Sequence, residues 1–370
     1  MAIRIRINRL RKEMEKHEMA AVAMVPGPNF LYFTSLALHR SERLTLALVD
    51  VNGRLNFLLP ELERAQVEPV RTKDVDLRTY SDSEGPGVAL QDLIAKMDLR
   101  DKSLGVEFRG MWVGEEHAIR QAAHGVAVTA ADALFMDLRM IKDDGELAAM
   151  RKAAQIVEAA LADLVREMAA GQTEREIAAN LQIALARHGS GPLPFAPIVV
   201  AGPNAAAPHA SPGDRPVQAG DIVTIDCGAS WNGYASDITR NVAVGTIADE
   251  LEHVHEIVHA ANDAGRAAAR PDIPAEDVDA AARAVIEKAG YGKYFTHRTG
   301  HGLGLDIHEP PYIVGGNHTP LRAGMTFTVE PGVYLPGLGG VRIEDDIVVT
   351  ADGTETLTGY TRKLLRIAAS

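Results

Sequence analysis

The stretch Asp221-Ile-Val-Thr-Ile-Asp-Cys-Gly-Ala-Ser-Trp-Asn-Gly-Tyr-Ala-Ser-Asp-Ile-Thr-Arg-Asn-Val-Ala-Val244 reads as two apolar strands closing on a turn. Asn232-Gly233 supplies the two positive-φ positions of a two-residue hairpin. The register that follows pairs Trp231 with Tyr234, Gly228 with Asp237 and Asp226 with Thr239. Opposed residues share a face, as do residues two apart on one strand. Asp226 and Asp237 are therefore diagonal neighbours on one face, roughly 7–8 Å apart at the backbone. Two like charges among apolar neighbours are costly unless something neutralises them. A divalent cation between them does so; two ordinary aspartates on a solvated strand face are the alternative. Cys227 points to the opposite face as a small buried hydrophobe.

A second carboxylate pair lies downstream. Glu330 ends the apolar run Met325-Thr-Phe-Thr-Val-Glu, and Glu344 sits in Val341-Arg-Ile-Glu-Asp-Asp-Ile-Val-Val, read as one strand with Arg342 on the same face. Between the pairs stands His297-Arg-Thr-Gly-His-Gly-Leu-Gly-Leu-Asp-Ile-His-Glu-Pro-Pro, which carries His297, His301 and His308. Its glycines, Gly300, Gly302 and Gly304, read as room for a ligand to approach the backbone. Two aspartates, two glutamates and one histidine bring four negative charges, enough to balance two divalent ions. Oxygen-rich ligation with one imidazole suits manganese, cobalt, iron or zinc and demands no thiolate. Two such ions ~3.5–4 Å apart make a hydrolytic centre.

On these motifs the sequence resembles the pita-bread metallopeptidases: methionine aminopeptidase, aminopeptidase P, prolidase and the metal-free creatinases. The matching elements are Ile225-Asp-Cys-Gly with Asp237 eleven residues beyond Asp226, Gly300-His-Gly-Leu-Gly, Val329-Glu-Pro-Gly and Arg342-Ile-Glu-Asp. The resemblance implies an α+β chain, with an α/β N-terminal domain of the creatinase/prolidase type over residues 1–132 and a pita-bread catalytic domain over 133–370. It implies that Asp226, Asp237, His301, Glu330 and Glu344 ligate two divalent metals, Mn2+ foremost, with Asp237 and Glu344 bridging. Glu330 would also carry a proton. His209 and His308 match histidines that contact the scissile peptide, and His297 a third. Arg342 would hold Glu344 in place, and Thr239 offers a hydroxyl beside it.

The extra N-terminal domain argues against methionine aminopeptidase, and the full ligand set against the creatinases and metal-free binding proteins. Cleavage of short Xaa-Pro peptides by a homodimer is what the resemblance implies. One position departs from it: compact prolidases carry an arginine, a reader of the dipeptide carboxylate, where this chain has Tyr312. A phenol reads a carboxylate more weakly than a guanidinium, so peptides longer than a dipeptide become plausible substrates. Arg40 or Arg43 is an alternative source of that cation. A metal-dependent hydrolase or lyase acting on a small non-peptide substrate is the same-fold alternative.

A rival motif is His255-Glu-Ile-Val-His259, the zincin pattern, in which Glu256 would be the base. Against it, Asn262 stands where the extended motif needs glycine. Leu251, Val254, Val258 and Ala261 already give that helix a core stripe.

The remainder of the 370 residues is consistent with this reading. At 46% hydrophobic and 24% charged the composition is globular, and a net charge of -12 argues against nucleic acid or an anionic membrane as partner. One cysteine excludes a disulfide framework and a multi-cysteine metal site. No run approaches the ~18–20 apolar residues of a membrane span, and the basic N-terminus lacks a signal-peptide core; a cytoplasmic protein is expected. Asn52-Gly53 predicts another hairpin between Leu44–Val49 and Leu55–Leu59, and Ser103–Phe108 a further strand. Asp143 with Glu146 and Thr173 with Glu176 have capping-box spacing. They open a long helix ending at Gly171, striped by Leu147, Met150, Ala154, Val157, Leu161, Leu164 and Met168, and a second ending near Gly189. Seven prolines between Gly191 and Pro216 suggest an irregular wall. No sequence repeat stands out.

Overall fold

A computed structural model describes residues 2–70, 72 and 74–369 and divides after Arg139 into two units. The division falls beyond residue 132 because helix Asp132–Met140 belongs with the first unit: Phe135 packs on Phe33 with ring centroids 5.8 Å apart, and Tyr32 donates to the Leu138 carbonyl at 3.1 Å.

Among the described residues the first unit holds a six-stranded sheet, ordered Val75–Tyr80, Leu55–Pro60, Leu46–Asp50, Ala21–Met24, Ser103–Val106 and Ala127–Ala130. Leu46–Asp50 runs antiparallel to both neighbours; the remaining pairings are parallel. The inner strands are buried on both faces, which requires cover on each side. Leu90, Leu93 and Ile119 from helices Gly87–Lys96 and Val113–Ala122 supply it on one face, and Phe30 and Phe57 belong to a buried aromatic layer. The expected hairpin forms, with a different turn. Only Gly53 has positive φ (76°), its N–H donates to the Asp50 carbonyl at 2.9 Å, and Asp50 Oδ1 accepts from the N–H of Asn52 and of Arg54. This is a type I turn followed by a left-handed glycine, so Asn52 needs no positive φ. The 103 strand stops at Val106, because Asp132 captures the N–H groups of Phe108 and Arg109.

The second unit repeats one plan twice. Helices Asp144–Glu167 and Glu174–Arg187 precede a four-stranded sheet ordered Leu365–Ile367, Ile238–Val244, Ile222–Cys227 and Ile198–Ala201. Helices Asp249–Ala268 and Ala275–Lys288 precede a five-stranded sheet ordered Glu309–Ile313, Gly300–Gly302, Thr326–Val329, Asp345–Val349 and Thr354–Thr356. Both capping boxes close reciprocally, Asp143 with Glu146 and Thr173 with Glu176. From the stripe, Met150, Ala154, Val157, Leu161 and Leu164 are buried; most of them face the first sheet with Cys227 in the same core.

Two local expectations are corrected. The long helix ends at Glu167, short of Gly171, because the backbone turns extended at Met168 (ψ 135°) and the Ala169 N–H pairs with Gln172 Oε1 at 2.8 Å. The proline-rich wall contains a strand, Ile198–Ala201, which lies at a sheet edge and carries no proline within its span.

Candidate active site

The site is built where the two sheets of the second unit meet. Asn232 (φ 51°) and Gly233 (φ 84°) form the expected turn, and the register follows: Trp231 opposes Tyr234 and Asp226 opposes Thr239. From the second sheet, an isolated bridge joins Thr239 to Glu344, whose N–H donates to the Thr239 carbonyl at 3.2 Å. The single strand expected through Glu344 is in fact two. Gly339–Arg342 pairs in a hairpin with Gly332–Leu335, and Asp345–Val349 joins the five-stranded sheet. Glu344 lies at the crossing between them, which lets it reach Thr239.

Asp237, His301 and Glu344 are buried, and each offers a ligand atom within 4.8 Å of the others. His301 Nε2 stands 3.9 Å from Asp237 Oδ2 and 3.4 Å from Glu330 Oε1. Its Nδ1 faces the Gly302 carbonyl at 3.2 Å. Donation there leaves the Nε2 lone pair toward the acids, and burial lowers the ring's pKa to about 3, so it is neutral. Thr239 donates its hydroxyl to Glu344 Oε2 at 2.6 Å. Arg342 donates through Nη2 to Asp226 Oδ2 at 2.6 Å and through Nε to Thr239 at 3.2 Å. Arg342 thus grips Asp226 directly and Glu344 through Thr239. Asp237 donates its N–H to Asp346 Oδ2 at 2.9 Å, a role for Asp346 that the sequence reading did not assign.

The electrostatics leave this cluster short of positive charge. Asp226 Oδ1 and Asp237 Oδ1 are buried and receive no hydrogen bond. Burial, then the charges of Glu344 and Asp226, hold Asp237 well above the usual carboxylate range; burial, then Glu330 and Asp226, do the same to Glu344. Glu330 is pushed up to about 7, mainly by burial. Four acids, two of them with a buried oxygen that no donor reaches, one neutral imidazole and no thiolate fit divalent metal ions.

The histidine-rich segment has a different use for its glycines than expected. A β-carbon on Gly300 would stand 1.9 Å from the Thr328 carbonyl oxygen, and one on Gly302 2.3 Å from that of Pro310. They let neighbouring strands close up, bringing His301 to the acids. His308 is exposed, with its ring centroid 4.2 Å from that of His301. His209, also exposed, follows Pro208, whose carbonyl accepts from Arg342 Nη1 at 3.4 Å. His297 differs from the expected substrate-contacting histidine. Its Nδ1 lies 2.7 Å from the Arg298 carbonyl and its Nε2 2.8 Å from the Tyr334 hydroxyl, so both nitrogens are engaged within the protein. Tyr334, which accepts from Arg342 Nη1 at 2.9 Å, was missed in the sequence. Asn262 was missed as a contributor too: buried, it donates to the carbonyls of Val329 and Ile343, the residues before Glu330 and Glu344.

Residues 148–351 match the family model described as metallopeptidase family M24, and residues 6–141 that of the creatinase/prolidase N-terminal domain. The chain belongs to metallopeptidase family M24. An uncharacterized peptidase of Staphylococcus saprophyticus is 34% identical to this M24 chain over 96% of its length and 99% of its own. A dipeptidase structure from Pyrococcus horikoshii is 38% identical with a TM-score of 0.93, covering 98% of this chain and 100% of its own. A prolidase structure from Thermococcus sibiricus is 36% identical with a TM-score of 0.94, covering 99% and 100%. The α+β fold and a metallo-exopeptidase activity follow.

The zincin pattern is not a site in this M24 fold. His255 is buried, Glu256 is exposed, and neither lies in the carboxylate–imidazole cluster. Burial lowers the His255 pKa to about 4, and its Nε2 makes no hydrogen bond. His255→Leu fills the same space without that unsatisfied nitrogen. Unchanged metal content and activity are expected from it, with a melting temperature equal to or above that of the parent. Loss of bound metal in this variant would reinstate the motif. Arg40 and Arg43 are committed inside the first unit. Arg40 pairs with Glu115 at 2.5 Å and lies 4.1 Å over the Trp112 ring, and Arg43 holds both oxygens of Asp82.

Proposed function

We propose that the chain hydrolyses the peptide bond between an N-terminal residue and proline, with Asp226, Asp237, His301, Glu330 and Glu344 holding two divalent ions. The observation that carries this is the convergence of Asp237, Glu344 and the neutral His301 imidazole, with Glu330 3.4 Å from His301, Asp226 near enough to raise the Asp237 pKa, and buried oxygens on Asp226 and Asp237 that no protein donor satisfies. When bound, the ions supply the charge that offsets these acids, polarises a carbonyl and readies water for attack.

The chain's own groups do the rest. Glu330 carries a proton at its carboxylate, taking it from water and returning it to the leaving nitrogen of proline. His308, beside His301, and His209, on the loop that Arg342 anchors, offer ring nitrogens to the scissile peptide. Arg342 and Thr239 fix Asp226 and Glu344, and His297 acts through Tyr334 by bracing Arg342. Four carboxylates to one imidazole and no thiolate support manganese as the working ion. A cytoplasmic homodimer acting on short proline-containing peptides completes the reading. Among the described residues no helix is long and apolar enough to cross a membrane.

The test uses metal-stripped protein with and without added manganese, on Ala-Pro, Ala-Pro-Ala and Ala-Ala. Manganese-dependent cleavage of one or both proline peptides, with Ala-Ala resistant, is the expected result. Protein shown to hold two ions per chain that cleaves neither proline peptide would sink the proposal.

A further inference from the structure

Tyr312 lies directly opposite His301 on the neighbouring strand, and opposed residues share a face. Its ring therefore lies on the side of the sheet that carries the His301 imidazole. The Arg298 guanidinium sits 4.7 Å over that ring. Arg298 is half-buried, and among the described residues it has no carboxylate partner and no side-chain hydrogen bond. Such an arginine is unusual, because a partly desolvated cation normally finds an anion. Other basic groups of this region are spent. Arg342 holds Asp226, Thr239 and Tyr334; Lys142 pairs with Glu309 at 2.6 Å; Arg283 pairs with Asp279 at 3.0 Å.

We propose that Arg298, braced on the face of Tyr312, is a specificity residue that binds a carboxylate of the peptide substrate. The inference rests on the Xaa-Pro reading and adds to it the group that senses substrate charge. The ring contact holds the guanidinium in place while, among the described residues, its N–H groups have no protein acceptor, which leaves them to receive a carboxylate through two parallel hydrogen bonds. Tyr312 is the platform and not the reader. The charge of Arg298 also acts on His301, His308 and Glu330, which places it within electrostatic reach of the carboxylate cluster. The carboxylate is either the free C-terminus of a dipeptide or the side chain of an acidic first residue.

Kinetics of the metal-loaded parent, Arg298→Gln and Arg298→Lys on Ala-Pro, Ala-Pro-amide and Glu-Pro-amide separate these sources. For Arg298→Gln, the KM for Ala-Pro should rise about 10- to 100-fold with kcat little changed. Ala-Pro-amide should be unaffected, and Arg298→Lys should recover part of the loss. Proline, titrated calorimetrically as the product, should bind Arg298→Gln more weakly, and prolinamide equally to both proteins. A loss confined to Glu-Pro-amide upholds the carboxylate contact and assigns it to the first residue. An equal loss on all three substrates, or no change on any, overturns the proposal. Inactivity of the parent on all three overturns the Xaa-Pro reading itself, a result distinct from either.

Discussion

Glu344→Gln lowers kcat/KM by about 10³-fold or more and at the same time makes the metal-free protein more stable above neutral pH. The two effects have one cause. Glu344 sits near Asp237, and its pKa is raised well above that of an exposed glutamate, by burial first and by the charges of Glu330 and Asp226 next. The folded metal-free chain therefore holds more protons here than the unfolded chain. Stability contributed by the protonated acid is present below the unfolded value and falls as pH rises through the folded one. Glutamine keeps the shape and an acceptor for the Thr239 hydroxyl but cannot ionise. On the proposed metal site the variant loses a ligand, and in the metal-free chain it escapes the repulsion. Thermal melts of stripped protein at about pH 5 and about pH 8, beside metal content and kinetics, check it. The parent should lose more melting temperature between the two than the variant, and added manganese should restore the parent alone. A variant that kept two ions and full activity would remove Glu344 from the ligand set.

What was legible in the sequence depended on the range of the interactions involved. The register of Asp226 against Thr239 could be read because Asn232-Gly233 fixes it within a few residues. Asn52-Gly53 offered the same dipeptide, yet Asp50 caps the neighbouring N–H groups and draws the chain into a longer turn. The helix caps were legible for the same local reason. The break at Glu344 was not, because Val341–Val349 is apolar on both sides of it and only the meeting of two sheets decides where the strand divides. The glycines around His301 read as sites of close approach, and what presses there is Thr328 and Pro310, neighbours that a sequence does not reveal. Tyr334 and Asn262 carried no spacing signal. Asn262 is tied to carbonyls 67 and 81 positions away, and Tyr334 joins Arg342 to His297, which lies 37 positions from it. The doubled helix-pair-and-sheet plan left no repeat in the sequence, because packing constrains polarity and size at those positions and leaves identity free.

Arg240→Met destabilises the second unit by about 3–5 kcal/mol. Arg240 is 1% exposed, the largest fully buried side chain among the described residues. Its Nε donates to the Thr361 carbonyl, Nη1 to the carbonyls of Thr239 and Glu344, and Nη2 to Asp345 Oδ1 and the Tyr360 carbonyl. One planar fork thus ties the strand carrying Thr239 to the crossing that carries Glu344 and to the segment at 360–361. Methionine matches the stem and supplies no donor, so buried carbonyls lose partners they cannot recover from water. Asp345 is cushioned, because Arg362 Nε holds its other oxygen at 2.6 Å; the cost therefore falls mainly on the carbonyls. Arg240→Lys should recover only part, since an ammonium has three donors on a point charge where the fork has five in a plane. A melting temperature lower by roughly 10 °C for the metal-loaded methionine variant is the expected reading. If the loss stays within about 1 kcal/mol, Arg362 alone suffices to anchor Asp345, and the bonds to the Thr239 and Glu344 carbonyls contribute little to joining the two sheets. The larger loss, with weakened metal retention beside it, would mean that the same guanidinium that holds the sheets together also holds Glu344 where the acids converge.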